Sequence, residues 1–66
     1  MNTKHKYRNR AVELERLINV LKSVGIYNVE ELTTTFARTV KSYVEQLHIE
    51  FLTPEELEYV WIKLLD

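Results

Sequence analysis

The chain has no cysteine, one glycine, one proline and one methionine among 66 residues. Each scarcity removes a class of solutions. Without cysteine there is no disulfide to staple a small fold and no thiolate to hold a structural zinc ion, two devices on which small domains rely when their core is marginal. One glycine is too few for a phosphate-cradling loop. No apolar run reaches the roughly 18 residues of a membrane span. The charged stretch from Lys4 to Arg10 leads into an amphipathic pattern instead of the unbroken apolar segment of a secretory leader. A soluble cytoplasmic protein is the expectation, and the lack of cysteine suits a reducing compartment.

What is present has to supply the stability. At 45% hydrophobic the chain can form one core near the lower size limit for a domain that folds alone, so very good helix packing or self-association is required. The charge is divided unevenly. Residues 1–10 carry Lys4, Lys6, Arg8 and Arg10 without an acid, a charge of +4, and the remainder carries -5 for a net charge of -1. A basic arm, residues 1–6, precedes an acidic body, residues 7–66.

Tyr7, Ala11, Leu14, Leu17, Ile18, Leu21 and Val24 recur at spacings of three and four, which predicts a helix over about 7–24. Gly25 supplies its left-handed stop, with Ile26 folding back on Leu21 in a Schellman turn. Two capping boxes follow, Asn28-Val29-Glu30-Glu31 and Thr53-Pro54-Glu55-Glu56. In each, the first side chain accepts from a free amide of the opening turn and the Glu three residues on reaches back to the cap. Tyr27 with Leu32, and Leu52 with Leu57, stand as the matching hydrophobic staples. The first box opens a helix over about 29–50, whose stripe is Val29, Leu32, Phe36, Val40, Tyr43 and Leu47, flanked by Ala37, Val44 and Phe51. At 1.5 Å per residue it spans roughly 33 Å. The second opens a helix over about 54–65, with Pro54 at the first position, where a missing amide costs nothing. Short turns make successive helices neighbours, so the expected fold is all-α: an up-down-up three-helix bundle with a longer central helix, a basic N-terminal arm and a dimeric state. Thr33, Thr34 and Thr35 fall inside the second helix at a modest propensity cost.

The apolar surface exceeds what one such core can bury. Leu57, Val60, Trp61 and Leu64 share a face of the third helix with Leu65 at its edge, whereas Tyr59 and Ile62 project from the far side. A helix apolar nearly all round is normally buried on more than one side. Ile49 also falls off its stripe, so either the helix unwinds near His48 or something covers Ile49. Singly exposed residues are common, and that is the plainer account of Tyr59 and Ile62. The sharper expectation is a protein interface of Tyr59, Trp61, Ile62, Leu65 and Ile49, making the chain a non-enzymatic regulatory adaptor or inhibitor that forms a homodimer and holds a protein partner. The alternative is a dimeric nucleic-acid-binding protein gripping phosphates with Lys4, Lys6, Arg8 and Arg10. Against it, Glu30 and Glu31 stand where a recognition helix would meet the phosphates.

Catalytic chemistry has little to work with. Glu45 and His48 have the Glu-x-x-His spacing of bundle-bound metals, but they face away from the apolar stripe and lack companion carboxylates. Ser23 and Ser42 have no nearby His. No catalytic residue, cofactor or metal is expected.

Overall fold

A computed structural model describes residues 9–65. These form three helices, α1 Arg10–Ser23, α2 Thr34–Leu47 and α3 Pro54–Leu65, and no strand among the described residues.

α1 starts where Asn9, in extended conformation, accepts the Val12 amide on its side chain (3.3 Å) and the Glu13 amide on its carbonyl (3.1 Å). The helix therefore begins at Arg10, later than the apolar period implies; Tyr7 lies outside the described residues. Its end follows the expectation. Gly25 has φ 93, its amide donates to Lys22 O (3.1 Å), and the Ile26 amide donates to Leu21 O (2.8 Å). These are the two bonds of the Schellman turn. Ile26 packs on the core.

The first capping box opens no helix, which corrects the expected second element. Asn28 adopts φ 60, its amide donates to Leu64 O (2.7 Å), and the Trp61 indole N–H donates to Val29 O (2.9 Å). The last carbonyls of α3 and the indole both need partners. An irregular segment crossing α3 provides them; a helix from Val29 would commit the Val29 carbonyl to its own ladder. α2 starts instead at the threonine triplet, where Thr33 is extended and its hydroxyl accepts the Phe36 amide (3.1 Å). Tyr27 and Leu32 are exposed and form no staple.

The far end of α2 also comes early. His48 takes φ 58, donates its amide to Glu45 O (3.2 Å), and lets the Ile49 amide reach Val44 O (3.3 Å). This repeats the α1 stop without a glycine. The turn brings Ile49 into the core at 8% exposure. α2 and α1 each have 14 residues, about 21 Å at 1.5 Å per residue, so the central helix is not the longer one.

α3 opens as expected. The Thr53 hydroxyl accepts the Glu56 amide (3.1 Å) and Glu56 Oε1 accepts the Thr53 amide (3.0 Å). Leu52 and Leu57, the staple pair, both pack on the core. That core takes Leu14, Leu17, Ile18 and Leu21 from α1, Phe36, Val40 and Val44 from α2, and Val60 and Leu64 from α3, with Ile49 beside them. α1 packs on both other helices, and α2 and α3 touch each other much less.

Candidate protein-interaction surface

α3 gives its inner face to the core through Leu57, Val60, Trp61 and Leu64. Because side chains advance about 100° per residue, Tyr59, Ile62 and Leu65 are carried onto the outer side. They remain 47%, 49% and 41% exposed. Glu55 and Glu58 lie among them, and the Lys63 ammonium sits 5.7 Å from the Tyr59 ring centroid, within cation–π range.

The other two expected interface residues have different settings. Trp61 is partly buried and fastens the 26–33 segment through its bond to Val29 O. Ile49 is a core residue, which removes it from any surface of the folded chain.

A groove of about 300 Å³ opens where α2 and α3 diverge. Ala37, Val40, Lys41 and Val44 form the α2 wall, and Phe51, Leu52 and Leu57 the other. Phe51 is 58% exposed, and the Lys41 ammonium lies 5.2 Å from its ring centroid. Among the described residues, Lys41 is the only charged one of that lining. The sequence sets Phe51 beside the α2 stripe. With α2 ending at Leu47, Phe51 instead stands on the connecting loop at the mouth of the groove.

Of the basic residues suggested for nucleic acid, Lys4, Lys6 and Arg8 lie outside the described residues. Arg10 is engaged within the fold. Its guanidinium meets Glu56 as a fork, Nε to Oε2 at 2.9 Å and Nη2 to Oε1 at 2.8 Å. Nη1 reaches Glu13 Oε1 at 2.9 Å, and Nη2 also donates to the Glu50 and Phe51 carbonyls at 3.1 and 3.2 Å. The start of α1 is thereby tied to the α2–α3 loop. Hydrogen bonding from Arg10, with help from the Thr53 amide, lowers the Glu56 pKa to about 2. The same pairing raises that of Arg10. Five polar contacts leave this guanidinium little capacity for a phosphate.

The Glu45 and His48 pair loses its helical relation, since the left-handed turn carries His48 out of α2, and both are exposed. Ser23 donates its hydroxyl to Val20 O (2.8 Å). Among the described residues no helix is long and apolar enough to cross a membrane. Compared with protein-family models, curated proteins and solved structures, the chain matches none.

Proposed function

We propose that this chain is a small, non-enzymatic regulatory adaptor or inhibitor of the cytoplasm that works as a homodimer and holds a protein partner through the outer face of α3. One observation carries the reading: Tyr59, Ile62 and Leu65 are exposed together on a helix whose opposite face already completes the core. Fully burying such a side chain contributes about 1.5–3 kcal/mol, so covering the exposed half of each is worth on the order of 1 kcal/mol. Aromatic anchors are prominent among the residues that dominate interface energies, and Tyr59 is one.

The test is Ile62→Asp, followed by circular dichroism and by sedimentation across a concentration series. Helicity should persist while the dimer dissociates at low micromolar concentration. A variant that stays dimeric there refutes the reading. The nucleic-acid alternative keeps Lys4, Lys6 and Arg8, with Arg10 committed elsewhere. It would require duplex binding that falls steeply with salt.

A further inference from the structure

We propose that a second copy of this chain lays its α3 ridge, Tyr59, Ile62 and Leu65, into the groove between α2 and α3, with Glu58 of each copy meeting Lys41 of the other. The inference rests on the α3 reading above and names the protein that the ridge holds, a second copy of the chain, and the groove that receives it.

The groove determines what can enter it. Its floor includes Val40 and Val44, two residues of the core itself, and its volume of about 300 Å³ stands at the lower end of small-molecule sites. Apolar side chains fit such a lining, and a polar group would lose its water without gaining a partner. The rim adds a charge requirement. Among the described residues Lys41 is the one charged member of the lining, and no carboxylate of theirs pairs with it. An occupant therefore needs apolar knobs with a carboxylate beside them. The α3 ridge has this composition. Glu58 precedes Ile62 by one helical turn and likewise has no ion-pair partner among the described residues.

Placement on the helix favours a second copy over an unrelated chain. Around α3 at about 100° per residue, Leu65 and Glu58 fall between Leu57, which lines the groove, and Ile62, which tops the ridge. Ridge and groove are thus adjacent faces meeting along one helix. A two-fold axis that puts one ridge into the opposite groove brings the second ridge to the second groove as well. The contact closes as an isologous dimer and leaves no ridge free to propagate a filament.

The experiment is sedimentation equilibrium on the full chain, comparing wild type with Lys41→Glu, Glu58→Lys, the double exchange, Ala37→Trp and Ile62→Asp, each checked for helicity. Lys41→Glu and Glu58→Lys should each raise the dimer Kd at least about tenfold by facing like charges. The double exchange should return it to within about threefold of wild type. Ala37→Trp, filling the groove from its own wall, should abolish the dimer. Charge variants that leave Kd unchanged, or a double exchange no tighter than the singles, overturn the proposal. So does a wild type that remains monomeric up to about 100 µM. If Ile62→Asp alone dissociates the dimer while the groove variants are silent, α3 binds elsewhere and only the groove assignment falls. If Ile62→Asp is also silent, the α3 reading falls with it.

Discussion

Replacing Glu56 with Gln tests whether the Arg10 fork holds the α1 start to the first turn of α3 by charge. The ordinary carboxyl value is 4.5 and the folded value about 2. At 1.36 kcal/mol per pKa unit this bounds the linkage at about 3 kcal/mol. The Arg10 and Glu56 side chains are 29% and 25% exposed, so water screens the pair and about 1–2 kcal/mol is the expected contribution. Glu56 is more acidic in the folded chain. Its contribution is therefore complete above the unfolded value of 4.5 and is lost as pH falls toward 2. Urea unfolding of wild type and Glu56→Gln, followed by circular dichroism from pH 7 to 2, reads this directly. The Gln amide oxygen can still accept the Thr53 amide, whereas its NH2 replaces the oxygen that accepts from Arg10 Nε, so the variant removes the charge and one bond of the fork together, and the pH dependence identifies the charge part. The stability difference should be about 1–2 kcal/mol at neutral pH and shrink across the acid range. For a domain whose core supplies only about 3–5 kcal/mol, this is a large share. A difference that stays constant with pH would mean that the fork acts through shape alone and would refute the electrostatic account.

Two further substitutions probe the helix ends. His48→Gly relieves a left-handed residue at the α2 stop and should stabilise by about 0.5–1 kcal/mol in the same unfolding assay; a destabilised variant would show that His48 makes a contact beyond its backbone. Thr33→Ala should cost about 1 kcal/mol by removing the cap of α2. Amide exchange at Phe36 should speed up in that variant, and unchanged exchange would mean that the hydroxyl is replaceable by water.

The parts of the fold legible in the sequence are those where local signals and tertiary needs coincide. At Thr53 the cap, Pro54, Glu56 and the Leu52–Leu57 staple all serve one helix start, and α3 begins there. At Gly25 the stop residue and its apolar follower likewise agree with the packing. At Asn28 the local pattern was equally complete, but the amide and carbonyl it would have used had partners elsewhere, in Leu64 and Trp61. Those partners lie more than 30 positions along the chain, beyond any local window. Asn tolerates the left-handed conformation, so the same residue that reads as a cap also reads as a turn. The threonine triplet, expected inside the second helix, stands at its start: a β-branched run disfavoured within a helix is suited to its first turn, where a hydroxyl caps free amides.

The candidate surface divides along the same line. The phase of α3 follows from its own cap, so the outward direction of Tyr59 and Ile62 is readable from residues 53–62 alone. Ile49 shows the converse, because a residue out of phase with a helix can signal that the helix has already ended. The left-handed turn at His48 re-aims it into the core. The groove has no sequence signature, since it exists only where two helices that share α1 as their support diverge from each other. Arg10 is the sharpest case. Counted by sequence it belongs to a +4 arm, yet its fork partner is 46 positions away. The fork and the Nη2 bonds beside it make a basic residue offered to phosphates the tie between α1 and the groove's outer loop, where the Phe51 carbonyl accepts from Arg10 Nη2 and the Phe51 ring lines the groove. Weakening the fork should therefore loosen the groove mouth as well as the fold, so Glu56→Gln ought to weaken any dimer that uses the groove while leaving one built on the α3 ridge alone untouched.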